Sequence, residues 1–223
     1  PTIVRLLDPP LHEFLPSSDE DIASVAEQLD IPKDVLRKRI AELNEVNPML
    51  GHRGCRLAIT YPELYEMQVE AIIESVLQLK KEGIECHPEI MIPLVSTVEE
   101  FITLKDRLAE TITQLKNDAK TNVNYLIGTM IETPRACLIA QQLAQHCDFF
   151  SFGTNDLTQL TYGFSRDDAG KFINVYTESN ILQIDPFQTL DKDGVGQLIQ
   201  YAVEQAKQIK PEIKIGAVSY THL

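Results

Sequence analysis

Cys147-Asp148-Phe149-Phe150-Ser151-Phe152-Gly153-Thr154-Asn155-Asp156-Leu157-Thr158-Gln159 is the stretch from which the rest of the chain can be read. The run from Cys147 to Phe152 is short, apolar and strand-like. A glycine, a hydroxyl, an amide and a carboxylate then follow in successive positions, Gly153 to Asp156. A flexible backbone turn beside three oxygen-bearing side chains suits Mg²⁺ together with an anionic substrate. The same residues also fit an Asx turn capping a helix. Two upstream stretches bear on the choice: Gly128-Thr129-Met130-Ile131-Glu132-Thr133-Pro134-Arg135 and Asn47-Pro48-Met49-Leu50-Gly51-His52-Arg53-Gly54.

Composition limits the possibilities. The 223 residues suffice for one large α/β domain or two small ones, and 43% apolar content supports a substantial core. A formal charge of −13, with no basic face to offset it, argues against a nucleic-acid or membrane-surface partner. Any anion site must therefore concentrate positive charge locally, through individual arginines or a metal. The cysteines Cys55, Cys86, Cys137 and Cys147 show no CxxC spacing and read as buried, reduced thiols of a cytoplasmic protein. No signal peptide and no membrane-length apolar run is present. The chain begins without methionine and reads as a piece of something longer.

Working outward, strands alternate with helices. Thr2 to Leu7 reads as a strand ended by Pro9-Pro10. Helices are predicted from Ser17-Ser18-Asp19-Glu20, from Pro32, and from Pro62 to Lys81 with Gly83 as its C-cap. Arg53 to Ile59 reads as a short strand. A strand at Glu89 to Val95 precedes a helix opened by Ser96-Thr97-Val98-Glu99. The strand Asn124 to Ile131, a helix from Pro134 to Gln145 and the strand Asp148 to Phe152 come next. Leu157 to Gly194 reads as irregular, before a helix from Val195 to Lys210 and a strand from Ile213. Six strands separated mostly by helices argue for parallel pairing with helical crossovers.

In a parallel sheet the polar residues Arg5, Arg53, Glu132 and Asn155-Asp156 gather at the carboxyl end, where α/β folds place their active sites. Glu132 and Asp156 lie about one strand-helix-strand unit apart, so their carboxylates come from neighbouring strand ends. Two such carboxylates form a hard-oxygen site for Mg²⁺, with water and substrate oxygens completing the octahedron. Two arginines offer bidentate forks for phosphate or carboxylate. The alternatives are that Glu132 caps the helix at Pro134 and that Arg53 is an ordinary surface cation.

Arg5-Leu6-Leu7-Asp8-Pro9-Pro10-Leu11-His12-Glu13-Phe14, Asn47 to Leu57, Gly128 to Ala136 and Phe149 to Gln159 together resemble the C-terminal phosphoenolpyruvate/pyruvate-binding domain of the pyruvate phosphate dikinases. Phosphoenolpyruvate synthase and enzyme I of the bacterial sugar phosphotransferase system share the barrel. Leu11 to Phe14 and Gly163 to Asp168 favour the dikinases. The resemblance implies a TIM-type (β/α)₈ barrel, here incomplete, with about six of eight strands. It implies phosphoryl transfer from phosphoenolpyruvate to a histidine on a separate domain, leaving pyruvate, with Mg²⁺ as cofactor and a homodimeric parent. None of His12, His52, His87, His146 or His222 is expected to carry the phosphoryl group. Residue by residue, it gives Arg5 and Arg53 as phosphate-binding groups and Glu132 and Asp156 as Mg²⁺ ligands. Gly153, Thr154 and Asn155 match substrate contacts, and Arg166 a further phosphate-contacting arginine.

The resemblance breaks at the end. The family places a proton-donating cysteine where this chain has Val218, which has no proton to donate. Residues 1–216 are therefore expected to be a partial barrel domain and 217–223 a non-native tail. A phosphoenolpyruvate synthase, an enzyme I-like phosphotransferase, a pyruvate-releasing aldolase and a non-catalytic phosphoenolpyruvate-binding fragment are the competing expectations. An organellar targeting segment ahead of residue 1 is a further open point.

Overall fold

In the structure, a computed structural model that describes residues 2–218, every strand runs parallel to its neighbours. The strands are β1 (Thr2–Arg5), β2 (Pro88–Ile92), β3 (Leu126–Ile131), β4 (Phe149–Gly153) and β5 (Lys214–Val218), and their order in the sheet equals their order in the chain. Such an order, without a reversal point, is that of a barrel rather than a doubly wound sheet. The described strands curl into an open half-barrel.

The helices are α1 (Asp19–Gln28), α2 (Lys33–Leu43), α3 (Gly54–Thr60), α4 (Glu63–Lys81), α5 (Val98–Asp118), α6 (Pro134–Leu138), α7 (Ala140–Ala144), α8 (Thr154–Tyr162), α9 (Arg166–Ala169), α10 (Ile173–Glu178) and α11 (Val195–Ile209). The long ones bury one stripe each. Val69, Ile73 and Val76 of α4, Phe101, Leu104, Leu108 and Ile112 of α5, and Ala202 and Ala206 of α11 recur at helical spacing. They pack with Ile90, Ile92, Ile127, Ile131, Phe150 and Phe152, which occupy one face of the sheet. A capping box starts α5, with Thr97 Oγ1 accepting from the Glu100 N–H at 3.1 Å and Glu100 Oε2 accepting from the Thr97 N–H at 2.9 Å.

Alternate strand residues line the opposite, inner face, where Met91, Met130 and Phe149 form a small apolar cluster. Glu89 and Lys214 belong to the same face by register. Lys214 Nζ donates to both Glu89 oxygens, at 2.5 and 2.7 Å. These residues sit on β5 and β2, three strand spacings apart, or about 14 Å measured along the sheet. Their contact is possible only because the sheet curls, and it spans the concave face as a chord.

The structure corrects three expectations. Arg53 to Ile59 is no strand: Gly54 to Thr60 form α3, so the described residues contain five strands rather than six. Its buried positions, Gly54, Cys55, Leu57 and Ala58, follow a helical pattern that a seven-residue element is too short to display clearly. The helix expected from Pro134 to Gln145 divides at Ile139, whose φ of −103° and ψ of 16° interrupt α6 and α7. Leu157 to Gly194 is not irregular throughout, because α8 runs to Tyr162 and α9 and α10 follow. Gly163, at φ 68°, ends α8 as a left-handed cap. Gly83 does the same after α4 at φ 80°. Residues 219–223, most of the expected tail, lie outside the described residues, whereas Ala217 and Val218 continue β5.

Glu89 is buried at 4% exposure, so removal of its partner leaves a carboxylate unpaired on the concave face. Lys214→Ala is expected to cost roughly 1–3 kcal/mol, below the full penalty for a buried pair because Lys214 is itself half-exposed. Adding Glu89→Gln should recover most of it, which a double-mutant cycle of urea unfolding will test. A Lys214→Ala chain as stable as its parent removes the chord from the forces that hold the curl.

Candidate functional site

Parallel strands deliver the expected residues to one end. Arg5 closes β1, Glu132 follows β3, Gly153 closes β4, and Asn155 and Asp156 lie in the first turn of α8. Arg53 arrives differently, as the N-cap residue of α3 in extended conformation. The Gly54 N–H donates to the Asp8 carbonyl at 3.1 Å and the Cys55 N–H to that of Pro93 at 3.3 Å. Gly54 sits at φ 55°, and a Cβ there would stand 2.9 Å from the Leu94 Cβ. Both conformation and space demand glycine.

This entry buries the Arg53 guanidinium between two carboxylates. Nη2 donates to Asp8 Oδ2 at 2.9 Å and to Asp156 Oδ2 at 3.2 Å, and Nη1 donates to Asp156 Oδ1 at 3.4 Å. At 7% exposure Arg53 is no surface cation. Burial works against its charge, but Asp156 and then Asp8 outweigh that, holding its pKa above the ordinary value. The Asp8 oxygen that meets Arg53 also lies 3.5 Å from Arg5 Nη1. Asp8 was not singled out from the sequence, although it stands three residues after Arg5 in one of the quoted motifs. Its importance comes from Arg53, which only the fold brings near.

Glu132 is fully buried. Its Oε1 accepts from the Leu94 N–H at 2.6 Å, with Leu94 at φ 61°, a region costly for a leucine. Its Oε2 has no hydrogen-bond partner. Gly153 makes room for that carboxylate, since a Cβ there would stand 2.6 Å from Glu132 Oε2 and 2.7 Å from Met130 Sδ. Its backbone, at φ −91°, is ordinary, so the glycine serves close approach rather than a special turn.

The capping alternatives are not realised. Thr133 Oγ1, and not Glu132, caps α6 by accepting from the Ala136 N–H at 3.1 Å. The N-terminus of α8 has no side-chain cap bond. Thr154 is buried, and Asn155 Oδ1 accepts from Arg166 Nη1 at 3.0 Å. The Arg166 N–H donates to Gln159 Oε1 at 2.8 Å, a positioning contact the sequence did not single out.

An open cavity of about 730 Å³ lies here, with Arg5, Asp8, Arg53, Asn155, Asp156 and Arg166 on its wall beside Asn47, Pro48 and Met49. Glu132, Gly153 and Thr154 are buried and do not line it. Val218, the last residue of β5, pairs in register with Gly153. His52 is occupied elsewhere, with Nε2 2.5 Å from Thr60 Oγ1 and its ring against Tyr61. Burial pushes the Cys55 and Cys137 thiols up to about 12, so both are core groups rather than nucleophiles.

The residues fit a hard divalent cation. Burial, then Asp156 and Asp8, raise the Glu132 pKa well above its usual range, against the opposing pull of the Leu94 N–H and Arg53. A cation would relieve that repulsion and take up the partnerless oxygen. Among the described residues no group of three or more histidine, cysteine, aspartate or glutamate side chains forms a ready metal site, so a cation here would need further ligands from water or substrate oxygens.

The raised Glu132 pKa has a sign in stability. The folded state holds this proton above the unfolded value of about 4.3, so the group's contribution is full below that pH and is lost as pH rises. Glu132→Gln keeps the acceptor for Leu94 and removes the buried charge. It should raise stability by roughly 1–3 kcal/mol at pH 8, or about 2–12 °C in Tm. The gain should shrink toward pH 5 in metal-free thermal scans. A gain that is equal at both pH values counts against a charged, strained Glu132.

Comparison with known proteins identifies the family. The family described as PEP-utilising enzyme, PEP-binding domain, matches residues 1–212. The pyruvate, phosphate dikinases of Rickettsia bellii (strain RML369-C) and Clostridium symbiosum are each 50% identical, over 218 and 217 residues. Pyruvate, phosphate dikinase 1, chloroplastic, of Arabidopsis thaliana is 50% identical over 218 residues. Each match takes in 97% of this chain, but only 25%, 25% and 23% of those proteins respectively, so the chain spans about a quarter of the length of the relatives it matches. With nearly its whole length matched, the chain belongs to the PEP-utilising enzymes, as a PEP-binding domain.

Proposed function

We propose that this chain is the phosphoenolpyruvate/pyruvate-binding part of a pyruvate, phosphate dikinase, and that a longer parent interconverts ATP, pyruvate and phosphate with AMP, phosphoenolpyruvate and diphosphate. The observation that carries the reading is the pair Arg5 and Arg53. Both meet one carboxylate oxygen, at 3.5 and 2.9 Å, on the wall of the same cavity, where a phosphate oxygen finds two guanidinium partners. The dikinase relatives favour this reading over a phosphoenolpyruvate synthase or an enzyme I-like phosphotransferase.

In the proposed half-reaction a histidine nitrogen of another domain attacks phosphorus. The electron pair of the breaking P–O bond stays on the enol oxygen, and the methylene carbon then takes a proton to give pyruvate. Arg5, Arg53 and Arg166 hold and neutralise the phosphoryl oxygens as their charge spreads. Asn155, fixed by Arg166, orients the three-carbon unit. Glu132 and Asp156 would hold Mg²⁺, which would supply Lewis-acid stabilisation of charge on the enol oxygen. Gly153 leaves space for the Glu132 carboxylate, and Thr154 is buried at the start of α8. Val218 stands where the family has its proton donor and has no proton to give, so the chain binds without completing the protonation. Homodimerisation of the parent belongs to the same proposal.

Thermal unfolding of the chain tests it, with Mg²⁺ and oxalate, which mimics the enolate. At ligand about 100 times its dissociation constant the pair should add roughly 2.7 kcal/mol, or about 5–11 °C in Tm. Oxalate alone, or the pair with Glu132→Ala, should give little shift. An equal shift without metal, or in the Glu132→Ala chain, sinks the metal-enolate site. Failure of phosphoenolpyruvate to bind with Mg²⁺ present sinks the substrate assignment.

A further inference from the structure

We infer that Asp8 is a positioning residue for phosphate recognition, holding Arg5 and Arg53 together so that both guanidinium groups meet one oxyanion. The inference rests on the phosphoenolpyruvate reading above and adds a residue to it. Arg5 comes from the end of β1 and Arg53 from the head of α3; the Gly54 N–H to Asp8 carbonyl bond joins the two backbones, and the Asp8 carboxylate joins the two side chains. Two guanidinium groups brought this close repel unless an anion stands between them. Asp8 Oδ2 is that anion, 2.9 Å from Arg53 Nη2 and 3.5 Å from Arg5 Nη1.

Asp8 grips the head of α3 twice. Its carbonyl accepts the Gly54 N–H at 3.1 Å while its carboxylate holds the neighbouring arginine side chain. The second oxygen, Oδ1, is buried without a hydrogen-bond partner, so the local loop does not orient the carboxylate; the arginines do. Asp156, the other partner of Arg53, is also the proposed metal ligand. If Asp156 turned to a cation, the Asp8 contact would still hold Arg53. Asp8 is not one of the two proposed metal ligands, and its carboxylate contacts are to the two arginines.

Isothermal titration of the chain with phosphoenolpyruvate and with oxalate, each in Mg²⁺, separates this role from a merely structural one. Asp8→Asn should weaken phosphoenolpyruvate at least tenfold and leave oxalate, which has no phosphate, within twofold. Asp8→Glu moves the charge by one methylene and should show the same selective loss to a smaller extent, which covers the case in which Asp8→Asn does not fold. Equal loss of both ligands assigns Asp8 to the cation or to the fold and overturns the inference, as does no loss of either. In the ligand-free chain, hydrogen exchange of the Arg53 guanidinium followed by NMR should quicken at least fivefold in Asp8→Asn, and unchanged exchange also overturns it. That arm decides the question even where the parent chain binds no phosphoenolpyruvate, an outcome that strikes the substrate reading instead.

Discussion

The buried guanidinium of Arg53 is the constraint on which the carboxyl end of this half-barrel depends. It joins the loop after β1, the head of α3 and the first turn of α8, through Asp8 and Asp156. A buried charge is tolerated only when paired and hydrogen-bonded, so these segments cannot separate without exposing or orphaning an ion. The pairing is incomplete all the same. Of the four buried side-chain atoms without partners among the described residues, three belong to Asp8, Arg53 and Glu132. That concentration marks a place built for something other than stability.

Backbone strain accumulates around the same residues. Leu94 adopts a left-handed conformation with its N–H bound to Glu132, and Gly54, likewise left-handed, stands against it with no room for a Cβ. Gly153 is required because Glu132 occupies the space its side chain would fill. A wholly buried carboxylate, a strained leucine and two space-making glycines make sense together if the carboxylate's position matters more than its comfort.

The fold was legible where elements are long or continuously apolar. Strands buried on both faces announce themselves as apolar runs, and α4, α5 and α11 carry stripes long enough to show their period. The stretch after Arg53 was not legible as helix, since it is short and opens with a left-handed glycine that no periodicity reveals. The site divides along the same line. Arg5, Glu132 and Asp156 could be placed because strand ends in a parallel sheet share one edge. Asp8 could not, because its role is set by Arg53, 45 residues away. The reason for Gly153 lay in packing against Glu132, which no local reading contains.

The two ends of the half-barrel divide the labour electrostatically. On the concave face, the Glu89–Lys214 chord satisfies its charges internally and serves the curl. At the carboxyl end, two arginines meet carboxylates that leave oxygen and nitrogen atoms unsatisfied. The chain carries a formal charge of −13, and Glu13, Asp167 and Asp168 also line the cavity, so long-range attraction does not bring an anion here. Recognition has to work by exchange at close range. On the proposed reading, a cation held by Glu132 and Asp156 would compete with Arg53 for Asp156, and a phosphate would take the guanidinium face so released. Metal and phosphate then favour each other's binding through one shared aspartate, so neither is held strongly without the other.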